Sequence, residues 1–262
     1  VALNRSETDA RPFSLTGQDT ARPAYTRLTG MLALGGPLRI PHLLWQNGPN
    51  FTVNYQWSRN RSVTTEAGRV PNAAERAGDL SGSGAVIVDP ASGLPFPGGV
   101  LPASRVSPQA AVLLGLYPLP DFGTADGYNY QTGTSTGTNE DSWQTRLTQT
   151  LSRTDQLFGS SAGRSLRGSV SGLLGFLDTN GSFGTNSSVG WRHLFSPRLS
   201  STVSYEFSRL ATTVTPYFAG RRNVSAEAGI QGNSQDAANW GPPNLLFAGG
   251  ASNLVEPPAS EW

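Results

Sequence analysis

Hydrophobic and polar residues alternate with a step of two over several stretches of this chain. From Phe51 the odd positions are Phe51, Val53, Tyr55 and Trp57, and the even ones are Thr52, Asn54, Gln56 and Ser58. Successive side chains of a β-strand point to opposite faces, so the segment predicts a strand with one aromatic-apolar side and one small polar side. The pattern recurs. Trp143, Thr145, Leu147 and Leu151 oppose Gln144, Arg146, Thr148, Thr150 and Ser152, while Leu199, Val203, Tyr205 and Phe207 oppose Ser200, Thr202, Ser204, Glu206 and Ser208. Weaker versions run through 27–35, 166–177 and 189–195. About six strands are expected, several longer than the usual ~5–6 residues.

The segments between them are unequal. Residues 34–49 make a short link with an Asn47-Gly48 turn signal, and Ser196-Pro197-Arg198 makes a tight turn before Leu199. By contrast, 62–138 holds eight prolines with many Gly and Ser, and 218–262 carries Gly241-Pro-Pro and Glu256-Pro-Pro. Inside the first long segment, Ser107 followed by Pro108 predicts a capped short helix running to about Leu116. Loops beyond ~12–15 residues are normally functional or disordered.

Composition narrows the class. Of 262 residues, 37% are hydrophobic and 14% charged, both low for a globular chain. The balance lies in 31 Gly, 29 Ser and 23 Thr. Helical bundles need more Ala, Leu, Glu and Lys, and six Trp, seven Tyr and eleven Phe are too many for a solvated tail. All 19 basic residues are Arg and the net charge is +1, which lacks the basic excess of a nucleic-acid binder. With no Cys, thiol catalysis and disulfides are excluded. No stretch approaches the ~20 apolar residues of a membrane helix. The start at Val1, without an initiator Met or signal peptide, points to a fragment or a processed chain.

Such strands have two architectures open to them. In a soluble sandwich the apolar faces meet in a dry core. In an outer-membrane barrel they face lipid and the polar faces line a wet lumen. Scarce charge on the apolar faces, aromatics near strand ends and alternating short and long loops favour the barrel.

The first long segment also carries a recognisable text. It reads VPNAAERAGDLSG at 70–82, IVDPASGLPFPGGVLPASRVSP at 87–108 and AVLLGLYPLP at 111–120. This resembles the Oar-like TonB-dependent receptors of bacterial outer membranes. The matching positions are Glu75, Arg76, Gly78 and Asp79, then Asp89, Pro90, Gly93, Pro95, Phe96, Pro97 and Gly98, then Pro102, Ser104, Arg105, Pro108, Tyr117 and Pro118. Flanking stretches at 34–41, 51–59, 193–199, 229–232 and 241–244 fit too, so the likeness covers roughly 25–250. Leu80, Gly99 and Asp121 depart from the pattern.

The resemblance implies a non-enzymatic outer-membrane receptor, without cofactor, that takes up a large solute such as a siderophore or oligosaccharide. Its partners would be outer-membrane lipid, the TonB complex and that solute, with no nucleic acid. Such receptors have a plug and a barrel of about 22 strands. No plug or TonB box is visible in this chain, and Pro257-Pro258 argues against a paired strand before Trp262. The expected fold is therefore all-β: a partial, open transmembrane antiparallel barrel of about six long strands, with long Gly/Pro-rich loops and one or two short helices. The whole of 1–262 is read as one fragment of a barrel domain. Within it, 25–61 is the first hairpin, 62–138 a long extracellular loop, 139–217 further strands, and 218–262 a loop leading to a missing strand. The alternative is a secreted β-sandwich or adhesin module that binds carbohydrate or another surface.

Other chemistry is weaker. Gly133–Gly137 and Gly159–Gly163 match G-x-S-x-G, but neither is followed by the helix that a nucleophile elbow needs. His42 and His193 read as turn and strand-end residues. Asp121, Asp126, Glu140 and Asp141 have no known calcium-loop spacing. Asp79 and Asp89 are read first as turn initiators, with an ion pair from Arg76 or Arg105 as the alternative that would order the loop. Arg146, Arg167 and Arg192 are placed on the inner face, where they would favour an anionic solute.

Overall fold

The computed structural model describes residues 1–8, 24–39, 48–123, 127–248 and 250–261. Its frame is one antiparallel sheet in sequence order: β1 (Ala2–Arg5), β2 (Ala24–Pro37), β3 (Asn50–Gly68), β4 (Tyr130–Thr150), β5 (Asp155–Ser171), β6 (Leu177–Ser196), β7 (Leu199–Thr215) and β8 (Ser260–Glu261). Six strands are long, and β1 and β8 are short additions at the two edges. The sheet is open: β1 pairs only with β2 and β8 only with β7. The described residues form no second sheet, which corrects the sandwich alternative. None of their helices is long and apolar enough to cross a membrane.

The strands outrun the sequence pattern. β3 continues to Gly68 and β4 begins at Tyr130, so the first long loop is 69–129 rather than 62–138. The 166–177 stretch is not one strand. β5 ends at Ser171, and a turn closed by the Gly172 amide on the Phe176 carbonyl leads into β6. The Ser/Gly-rich runs 155–165 and 177–188 are strand although they barely alternate. They are held by ladder hydrogen bonds and by hydroxyl pairs such as Ser160–Ser188 at 2.8 Å and Ser161–Ser187 at 2.7 Å. The edge pair at Ser260–Glu261 corrects the reading of Pro257-Pro258, because the prolines precede residues that keep their own amide donors. Trp262 lies outside the described residues.

Pairing register fixes the two faces. Leu34, Val53 and Thr145 share one row, and Leu157, Trp191 and Val203 share another on the same side. This side also carries Leu32, Phe51, Tyr55, Trp57, Trp143, Leu147, Val189, Tyr205 and Phe207. Measured from the strand ends at the short turns, these apolar residues fall within the first nine positions. They are not buried: Leu34 is 67% exposed, Val203 63% and Tyr205 69%. A face this apolar, left open in a band matching the ~9–11 residues of a tilted crossing strand, is a lipid-facing surface. Aromatic rings cover glycines along the wall. The Trp57 indole lies where a Cβ of Gly30 would be, Trp143 covers Gly163, and on the polar side Phe158 covers Gly190.

The hydrophobic core lies elsewhere, at the long-loop end. Val70, Leu113, Tyr117, Phe218, Val224 and Leu254 are buried together, so loop 69–129 and loop 216–259 pack against one another as a cap. The cap contains three short helices: α1 (Ala73–Arg76), α2 (Pro108–Leu114) and α3 (Val224–Glu227). As expected, α2 starts with the Ser107 hydroxyl accepting from the Ala110 amide and Pro108 in the first turn.

Candidate functional site: the polar trough and its cap

The polar side of the sheet is concave. A trough of about 510 Å³ runs across β2 to β7, lined by Met31, Asn54, Gln56, Gln144, Arg164, Asn186 and Arg209. Its charges are tied together. Arg164 pairs with Glu140 at 2.8 Å, and Asn186 donates to Glu206 at 2.7 Å. Arg146 and Arg192 project from this face nearer the short-turn end. Arg146 shares a row with Thr52 and Ser160, and Arg192 shares one with Gln156 and Thr202. Arg167 is corrected. It pairs with Asn139 and Gly181, in the row of Arg59, on the apolar outward side. A one-residue error in register moves a side chain to the other face, and the Gly/Ser run before Arg167 gave no alternation to fix its parity.

The cap is built largely from the motif residues. Asn72 and Glu75 form a reciprocal capping box on α1, and Glu75 also meets Arg69 at 2.9 Å. The Arg76 guanidinium donates to the Pro71 and Tyr117 carbonyls, each at 3.0 Å, and to that of Pro118. One side chain thereby joins the start of the motif to its end. Gly78 has φ +95°, and a Cβ there would meet the Leu101 carbonyl at 2.9 Å, so the close approach needs glycine. Asp79 pairs as a bridge with Val100 and accepts from the Ser81 hydroxyl and amide, which hold its carboxyl below the usual range.

Asp89 opens the Asp89–Gly93 turn, and Val88 bridges Pro95 across a small hairpin. The Ala91 amide, with the Arg105 guanidinium behind it, holds the Asp89 carboxyl low. Asp89 therefore initiates a turn and carries an ion pair at once. Pro90 sits inside that turn, and Pro97–Gly99 form a 3-10 turn with Gly98 in a left-handed conformation just after Phe96. Pro102, followed by Ser104 and Arg105, forms the next turn. Tyr117 is 6% exposed and donates to the Ser252 carbonyl at 2.9 Å, linking the two loops.

Three cap features carried no sequence signal. Asn129, 3% exposed, accepts from the Val70 amide at 2.7 Å and donates to its carbonyl at 2.8 Å, replacing a strand partner. Ser225 donates to the Gly241 carbonyl at 2.6 Å. Glu256 is buried with Oε1 unpartnered. Burial, reinforced by Asp178, pushes its carboxyl up to about 7, against the Phe218 amide, which acts the other way.

The weaker motifs resolve into wall. Ser135 and Ser161 lie inside β4 and β5 and bond to Ser171 and Ser187, with no elbow around either. His193 sits at the short-turn end of β6, its Nδ1 2.7 Å from Asp155, which also accepts from Trp191. Glu140 and Asp141 are engaged by Arg164 and Arg59. His42 and Asp126 lie outside the described residues.

A single open antiparallel sheet with an exposed apolar band, a polar side that carries a trough, short links at one end and two long packed loops at the other defines a wall of a bacterial outer-membrane barrel. Residues 3–261 match the Outer membrane beta barrel domain family, and the chain belongs to it. It is a protein of the outer membrane. No curated protein and no solved structure matches the chain.

Proposed function

We propose that this chain supplies barrel wall and extracellular cap to an Oar-like, TonB-dependent receptor that takes up a large solute. The observation that carries this reading is the cap. The residues that resemble the receptor family's loop fold against loop 216–259 at the long-loop end of the wall. Solute would meet the cap first and then pass a wall of Asn, Gln, Ser and Arg side chains, where Arg146 and Arg192 would favour anionic solutes. Catalysis and cofactors have no part in this role. Lipid surrounds the apolar band, and the TonB complex supplies the energy.

The test is uptake by cells carrying the complete receptor, scanned over labelled siderophores and oligosaccharides. At least one solute is expected to accumulate, and accumulation should stop on loss of TonB or on deletion of 69–129. Accumulation that is indifferent to TonB overturns the transport reading. Orientation is tested separately. The chain has no native Cys, so an impermeant maleimide on intact cells should label Ala91→Cys in the cap and spare Arg153→Cys in a short turn.

A further inference from the structure

Two acids meet where the cap joins the wall. Asp178 is the second residue of β6, and its carboxylate accepts from the Tyr217 amide at 2.9 Å. The next amide, that of Phe218, favours the ionised form of Glu256. Consecutive residues just beyond β7 thus bring two carboxylates together, one from the wall and one from loop 216–259. Glu256 is only 9% exposed. Its amide donates to Asn244 Oδ1 at 2.8 Å, and its Oε2 lies against Gly241, in the space a Cβ would take.

The remaining oxygen, Oε1, is buried and has no partner. Buried polar atoms are almost always hydrogen-bonded, and buried charges are paired or hold a metal. No base answers these two acids. Among the described residues neither carboxylate forms an ion pair. Arg221 is turned over the Tyr217 ring, 5.1 Å from its centroid, and Arg222 is engaged by Glu227. Among the described residues no third acid, His or Cys enlarges the pair into a transition-metal cluster. A hard divalent cation fits, because one ion offsets both charges and takes the orphan oxygen. Calcium accepts irregular sets of carboxylate, carbonyl and water oxygens, whereas magnesium demands an octahedron.

We propose that Asp178 and Glu256 bind a calcium ion that ties loop 216–259 to the start of β6. The site lies outside the trough and does not depend on what the trough passes. The complete protein in detergent is stripped with chelator and held at pH 8, where Glu256 is mostly ionised. With the chelator present, Glu256 answers only to protons. Terbium, a luminescent stand-in for calcium, then reports binding through the neighbouring Tyr217. Two carboxylates make a weak site, with a dissociation constant of about 0.1–1 mM. Calcium at about 5 mM should therefore slow hydrogen exchange at Val224 and Leu254 about tenfold, and magnesium far less. Glu256→Gln and Asp178→Asn each keep an oxygen for the amide beside them, and each should abolish both the calcium effect and the luminescence. Should one variant fail to fold, the other carries the test. Exchange that calcium leaves unchanged overturns the proposal, and slowing by acid alone would mark a carboxyl pair that shares a proton. A calcium effect kept by the folded variants also overturns it, because the ion then binds elsewhere.

Discussion

Val203 and Ser204 are neighbours in β7 with opposite surroundings, and Arg at each position tests the membrane assignment directly. Val203 stands four residues beyond the short turn on the apolar face, paired with Trp191, and is 63% exposed. Ser204 is one residue further on the polar face, paired with Gly190. At ~3.3 Å per residue and a tilt near 40°, Val203 lies about 10 Å inside the rim, within the lower half of the hydrocarbon. An arginine facing lipid at the midplane costs about 2–4 kcal/mol and less toward the interface, so Val203→Arg should lose about 2–3 kcal/mol. Ser204→Arg projects into water beside Glu206 and should stay within about 0.5 kcal/mol. The assay is a urea titration of folding into phosphatidylcholine vesicles, followed by heat-modifiable migration. If the two substitutions cost the same, the face assignment is wrong.

Other consequences follow from the wall and the cap. Gly163→Val places a Cβ 2.7 Å from Cε2 of Trp143, so the ring must leave. Stability should fall by about 1–3 kcal/mol, with a shift in tryptophan emission. Arg76→Ala strips three carbonyls of their donor, costing about 1–3 kcal/mol for each that water cannot reach. Limited proteolysis should then cut near 117–118 while the wall stays intact. Glu256 binds its proton more tightly folded than unfolded, with a folded value of about 7 against an ordinary 4.5. Its contribution to cap stability is therefore complete below about 4.5 and lost as pH rises through about 7. Hydrogen exchange at Val224 and Leu254, corrected for intrinsic rates, should quicken over that window, and Glu256→Gln should abolish the change.

Side-chain alternation was enough to reveal the wall where one face is aromatic, as at 51–58 and 199–208. It failed where both faces are small, because Gly and Ser at 155–165 and 177–188 carry no polarity contrast to betray a period of two. There only the neighbouring strands decide the structure, through backbone pairing and through rings such as Trp143 that fill the space a glycine leaves. The cap motif was legible as text, and its turns at Asp79, Asp89 and Ser107 follow from local chemistry. The meeting of Arg76 with Tyr117 and Pro118, of Asn129 with Val70, and of Tyr117 with Ser252 joins residues far apart in the chain, and nothing local encodes such contacts.

The sequence by itself determined that this is a β-rich wall with one apolar and one polar face, because strand geometry converts alternation into faces without further help. Only the tertiary structure decided which face Arg167 belongs to, that the hydrophobic core sits in the loops rather than between sheets, and that Glu256 is buried. Register, packing and burial depend on partners brought together by the whole chain, and the wall needs no dry core because lipid takes that place.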